Sequence, residues 1–219
     1  TALTVTPYGC RILRLLTPDR NGRFGDVILG HATLEEYLGP NFQGTFVGRY
    51  ANRIGGASLT IDGATYALDK NDGENTLHGG RGGYHQVLFE VTDTQDGDAP
   101  SITFKHVSPD GDENYPGTLH VSVQYTLTAD NAVEIAYRGT SDKKTVFNPT
   151  NHSFFNLKAD NSKDVLSTVL KINAAHVTAV TDDLIPTGTL LPVAGTPLDF
   201  TAPKTIGQDI SADDHLIQL

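Results

Sequence analysis

Cysteine is almost missing from these 219 residues: Cys10 stands alone, so no disulfide can close within the chain. In "TPYGCRIL" it reads as a small buried residue, the common fate of a free thiol. Basic residues are scarce, with 16 Lys and Arg against 26 Asp and Glu and a formal net charge of -10. Such a surface repels phosphate backbones, and the basic side chains form no run, which argues against a nucleic acid partner. No apolar stretch approaches the roughly 18 residues of a membrane helix, and no charged start followed by an apolar core marks a secretory leader. These absences predict a soluble chain with no membrane partner. The expected compartment is the cytoplasm, with periplasmic and secreted locations left open because a leader could have been removed before Thr1.

Helical periodicity, linkers, low-complexity tracts and internal repeats are lacking too. What is present is a turn-rich globular composition: 38% hydrophobic, 19% charged, 22 Gly and 11 Pro. In "LHVSVQYTLT" the apolar residues Leu119, Val121, Val123, Tyr125 and Leu127 alternate with polar ones, as a strand with one wet face requires. "ADNAVEIAYRG" returns after a turn, and "IDGAT" and "QDGDA" carry the Asp-Gly pair favoured in tight hairpins. One short helix is predicted in "HATLEEYLG", with Thr33 as cap, Glu36 three residues on and Gly39 as the stop. The expectation is an all-β, antiparallel chain forming a single domain over 1–219, a length one such domain can fill.

Three loop-like segments concentrate residues that bind ligands or transfer protons: "GRYANRIGG" (48–56), "NDGENTLHGGRGGYH" (71–85) and "NPTNHSFFNL" (148–157). Loops on a rigid sheet are frequent sites of function. Arg49 and Arg53 flank Asn52, and a planar guanidinium can grip vicinal hydroxyls or a carboxylate. The same residues also fit a surface turn with an arginine paired to an internal acid. The two glycines after His78 allow another chain or a ligand to approach the backbone, although a structural histidine satisfied by backbone groups fits equally. Around His152, the amides of Asn151 and Asn156 and the hydroxyl of Ser153 can fix its tautomer, and the phenylalanines can dry its surroundings. A working acid and a core histidine held by local amides both remain open there.

Metal chemistry has little support. Among eight histidines, His78 and His85 lie seven apart in a glycine-rich loop, with no His-x-x-x-His pair or Cys cluster, so no metal is expected. "GGRGG" lacks the Lys-Ser/Thr of a phosphate loop, and no Gly-x-Ser-x-Gly elbow is present.

Read in order, "PYGCRILRLLTPDRNGRFGDVILG", "GTFVGRYANRIGGASLTIDG", "NDGENTLHGG", "SPDGDENYPG", "NPTNHSFFNL" and "DDLIPTGTLLPVAGTPLDF" resemble the aldose 1-epimerase (galactose mutarotase) family over nearly the whole chain. Several motifs in the expected order are far more specific than any one of them. The resemblance implies a large antiparallel β-sandwich, a free hexose as substrate, no cofactor, and interconversion of α and β anomers by ring opening and reclosure. By motif, His152 would be the acid at the ring oxygen, and His78 would share the catalytic region and bind the sugar. Asn52 and Arg53 would hold hydroxyls.

Two departures from the family pattern stand out. Phe154 replaces the Tyr of the usual Asn-His-Ser-Tyr-Phe run, so a hydroxyl at the substrate-binding surface is lost. The family also continues beyond the position of Leu219 into a Gly-Tyr-Asp-His motif and a later general-base Glu, so the chain reads as the N-terminal two-thirds of the family domain. Asp182 and Asp183, before "LIPTG", are substitute bases that nothing in the sequence places within reach. A missing C-terminal segment or a second chain is therefore expected to complete the sandwich. Catalytically impaired sugar binding on the same scaffold, or action on a modified or phosphorylated sugar, is the alternative.

Overall fold

The computed structural model describes residues 1–39 and 41–218; Leu219, the last position of the expected single domain, lies outside them. Seventeen strands and two short α-helices make up the regular structure of the described residues. The expected all-β class follows from this, with antiparallel pairing throughout the ladders. Packing divides the chain into two compact units, Thr1–Phe155 and Asn156–Leu219.

The first unit is organised by a four-stranded sheet. Leu119–Leu127 lies between Val133–Ser141 and Ser101–Ser108, and Glu90–Gln95 forms the far edge. The alternation read from the sequence has the expected result: Leu119, Val121, Val123 and Tyr125 are at most 2% exposed, whereas His120 is exposed. Period-two geometry sends one set of side chains inward, where each contributes roughly 1.5–3 kcal/mol by leaving water. They join Cys10, Ile12, Ile28, Phe46 and Phe104 in one core. The Tyr125 hydroxyl donates to the Cys10 carbonyl at 2.6 Å, so the buried phenol is not left unpaired. Burial pushes the Cys10 thiol well above its ordinary pKa, which makes it an inert core residue.

Local signals act as their chemistry requires. Asp62 and Gly63 both take positive φ, 49° and 82°, between the paired strands Ser58–Ile61 and Ala64–Ala67, the geometry of a type I′ turn. "QDGDA" instead opens a longer connection, because pairing stops at Gln95 and resumes at Ser101. The helix is Leu34–Leu38, with a full capping box between Thr33 and Glu36 and Gly39 at its end. It buries Tyr37, whose hydroxyl accepts from the His31 N–H at 2.9 Å.

Two very short ladders carry the loops of interest. Arg53–Ile54 pairs with Thr76–Leu77, which places Arg53 opposite Leu77 and His78 one residue further on. Thr150–Asn151 pairs with Phe46–Val47, and His152 follows directly.

The second unit has two separate antiparallel pairs, His176–Val180 with Pro186–Pro192 and Val169–Leu170 with Lys204–Thr205. Lys204 is tied to Asp209 at 2.8 Å and to the Pro197 carbonyl at 2.6 Å. Large apolar side chains remain exposed here, among them Leu157, Val169 and Leu190.

Candidate functional site

His78 is held by a reciprocal pair of bonds. Its backbone N–H donates to the Asn52 carbonyl, and the Asn52 N–H donates to His78 Nδ1, both at 3.0 Å. Both residues occupy the left-handed region, with φ of 53° and 61°, which His and Asn tolerate better than most side chains. Asn71 steadies the preceding residue, accepting from the Leu77 N–H at 2.7 Å and donating to its carbonyl at 2.9 Å.

The glycines after His78 are filled by the protein itself. A Cβ on Gly79 would lie 1.8 Å from the Gly48 carbonyl oxygen, and one on Gly80 would lie 2.1 Å from a Glu113 carboxylate oxygen. The close backbone approach that glycine permits is therefore used at both positions by the chain and not by an outside group.

His78 Nδ1 accepts a hydrogen bond, so the proton of the neutral imidazole resides on Nε2. Burial, followed by the nearby His152, His85 and Arg53, lowers the His78 pKa to about 4, against an opposing pull from Asp72. Near neutral pH, His78 is a neutral Nε2–H donor.

The His152 ring lies 5.1 Å from the His78 ring, centre to centre and nearly perpendicular. Its backbone is pinned by bonds to Thr45 and Gly44, at 2.8 and 3.0 Å. The expectation that neighbouring amides fix its tautomer is not met. Asn151 bonds the Gly44 carbonyl and the Ser153 N–H. Asn156 turns to the carbonyls of Asp160 and Lys163, and Ser153 Oγ is buried without a partner. Short polar side chains satisfy nearby backbone groups first, and no described residue bonds either ring nitrogen of His152. Phe154, 47% exposed, sits 5.0 Å from this ring.

Arg53 is anchored on one side only. Its Nε donates to Asp72 Oδ2 at 2.7 Å and Nη1 to Asn52 Oδ1 at 3.3 Å. The ion pair is partly buried, and it aims a permanently charged, planar donor group without consuming every N–H. Arg49 has a different place. It is 2% exposed, and its guanidinium donates to Ser108, Pro109, Pro116 and Gly117. It knits the "SPDGDENYPG" segment into the fold and binds nothing from outside.

Phe42 was not among the sequence candidates, yet it is the hub of the cluster. Its ring lies 4.7 Å from His78, 4.6 Å from His85 and 6.0 Å from His152. An isolated Phe in "NFQGTF" carries no signal of this role. Asp72 carries no signal of its role in sequence; an acid 19 positions from Arg53 becomes its partner only when the two strands pair. His85 is a 5% exposed packing residue. Burial and the charge of Arg11 lower its pKa to about 4. Asp182 and Asp183 belong to the second unit, and Asp182 lies 3.5 Å from His215. Among the described residues, no three His, Cys, Asp or Glu are grouped to hold a metal ion.

Two imidazoles, one a fixed donor and one with unengaged nitrogens, beside an anchored guanidinium and an exposed amide form a site able to move a proton and grip hydroxyls. Such a site on an all-β scaffold defines a class, and comparison with known proteins gives the family. The family model for aldose 1-epimerase matches residues 1–218, and the chain belongs to that family. It is 42% identical over 207 residues to the galactose mutarotase of Sus scrofa, covering 94% of this chain and 59% of that one. It is 38% identical over 213 residues to the aldose 1-epimerase of Escherichia coli (strain K12), covering 97% and 60%. The crystal structure of galactose 1-epimerase from Lactobacillus acidophilus NCFM superposes with a TM-score of 0.88 at 30% identity, covering 99% of this chain and 62% of that one. A GalM/aldose epimerase homologue from C. elegans gives 0.87 at 31%, covering 94% and 63%. The fold is the β-sandwich of these galactose epimerases, and the chain spans about 60% of the length of the relatives it matches.

Proposed function

We propose that this chain carries the sugar-binding and proton-donating part of an aldose 1-epimerase acting on free hexoses such as galactose and glucose. His152 protonates the ring oxygen as a base takes the anomeric hydroxyl proton. The open-chain aldehyde rotates about its first carbon-carbon bond and recloses on the other face, and His152 recovers its proton. His78, neutral and with its proton on Nε2, donates a hydrogen bond to the same region of the sugar. Asn52 and Arg53 hold hydroxyls, and Phe154 lines the site. The observation that supports this most is the perpendicular His78–His152 pair beside the Arg53–Asp72 anchor.

On this reading residues 1–219 belong to one family domain. Further polypeptide, as a continuing segment or a second chain, supplies the family's general-base Glu and covers apolar side chains such as Leu157, Val169 and Leu190. The expected compartment is the cytoplasm, with periplasmic and secreted locations left open. No helix among the described residues is long and apolar enough to cross a membrane.

Polarimetry of freshly dissolved α-galactose and α-glucose tests the proposal. Relaxation faster than buffer, in the chain alone or joined to the remaining family sequence, supports it. A rate equal to buffer in both forms rejects the catalytic reading, and saturable galactose binding by calorimetry without rate enhancement would establish a binding protein instead.

A further inference from the structure

Glu113 lies outside every residue assigned to the site, in the segment that Arg49 ties down. Its backbone is left-handed, with φ of 47°, inside a tight turn over Asp112–Asn114. That turn is fixed from beneath. The Asp112 carboxylate accepts from the Ser108 hydroxyl, and Ser108 Oγ accepts from the Arg49 guanidinium at 2.8 and 3.0 Å. The Glu113 side chain then reaches the loop after His78. Cβ atoms built on Gly80 and Gly82 would fall 2.1 and 2.5 Å from its two carboxylate oxygens, so the carboxylate sits directly on both α-carbons.

Burial pushes the Glu113 carboxyl up from its ordinary pKa and neighbouring Asp112 and Asp69 raise it further, against the pull of the Gly82 and Arg81 backbone N–H groups. Among the described residues no Lys or Arg forms an ion pair with this acid, and its contact is with the loop backbone. On the other side, the same loop rests on the Gly48 carbonyl through Gly79 and Tyr84.

We infer that Glu113 is a positioning residue: its carboxylate clamps the Gly80–Gly82 backbone and thereby holds the His78 imidazole at its angle and depth beside His152. The inference rests on the proposed role of the His78–His152 pair for its functional meaning, but the clamp itself is read without activity. One constraint on His78 is its direct bonding to Asn52, 26 residues away in sequence. A second links the histidine loop to the Arg49-held segment about thirty residues downstream in sequence, giving that buried arginine an indirect part in the site.

The test is nitrogen-15 NMR of the histidine rings in the 219-residue chain and in Glu113→Gln and Glu113→Ala. The unaltered protein is expected to show His78 as the Nε2–H tautomer, titrating near pH 4. In Glu113→Ala, the loosened loop lets water reach the ring. The midpoint should then rise by one unit or more, a tenfold change in proton affinity, with both tautomers populated. Glu113→Gln keeps one acceptor oxygen and should fall between the two, while exposed His120 does not move. A His78 signal unchanged in both folded variants overturns the inference. An equal shift at His120, or loss of cooperative folding in the near-isosteric Glu113→Gln, also overturns it, because the role would then be general stability. Galactose titration of the unaltered chain is read separately: its failure counts against the functional reading and leaves the clamp standing.

Discussion

The Asn52 N–H donates to His78 Nδ1 at 3.0 Å, and the His78 N–H returns a bond of the same length to the Asn52 carbonyl. This closed pair sets both the direction of the imidazole and the nitrogen that carries its proton. A side chain whose tautomer is set by a backbone amide needs no acidic residue behind it.

Acid sensitivity is the first expected outcome. The pKa values of His78 and His85 are lowered from 6.5 to about 4, so between these values the unfolded chain binds more protons than the folded one. Stability is therefore fully present above about pH 6.5, falls as the pH drops toward 4, and changes no further from these groups below that. Urea midpoints at pH 7.5, 6 and 5 should decrease in order, and the decrease should be smaller in the His78→Gln, His85→Gln double variant.

Removing the proposed acid should cost far more than removing a surface imidazole. His152→Asn is expected to lower the mutarotation rate about 10²- to 10⁴-fold, whereas His120→Asn, on the wet face of its strand, should leave it unchanged. Polarimetry of a form that shows activity makes the comparison.

Asp72→Asn separates binding from folding. The Arg53–Asp72 pair is partly solvated, so its loss should cost no more than about 1 kcal/mol of stability. The unanchored guanidinium must then be ordered by the ligand, and galactose affinity measured by calorimetry should fall several-fold. Equal affinity in the two proteins would show that the anchor does not serve the sugar.

Arg49→Ala tests the opposite assignment. It strips a buried guanidinium from the carbonyls of Ser108, Pro109, Pro116 and Gly117 and from the Ser108 hydroxyl, and buried groups left unsatisfied cost about 1–3 kcal/mol each. A destabilisation of at least about 3 kcal/mol is expected in chemical denaturation, well beyond that of Asp72→Asn.

Phe154→Tyr adds a hydroxyl to a 47% exposed ring beside His152. One added hydrogen bond is worth about 1 kcal/mol net, so galactose should bind several-fold more tightly with the fold unchanged. The calorimetric dissociation constant reads this directly.

The amino-acid order alone determined the strand from Leu119 to Leu127, the capped helix at Thr33 and the Asp62-Gly63 turn. Period-two burial, side-chain capping and positive-φ turns act over a few residues and leave their mark in composition and spacing. His78, His152, Asn52 and Arg53 could be picked out as candidates, because chemistry-bearing residues cluster in short motifs, while the roles proposed for them come from the family resemblance. Only the tertiary structure decided which arginine is interior and which faces the histidines, since Arg49 and Arg53 have similar neighbours in sequence but pair with segments far along the chain. It also decided that Asn151, Ser153 and Asn156 leave the His152 ring alone, that Phe42 joins three imidazoles, and that Glu113 fills the space beside the glycines. Those outcomes depend on which distant backbone groups reach a side chain first, a competition settled by packing and not by local pattern.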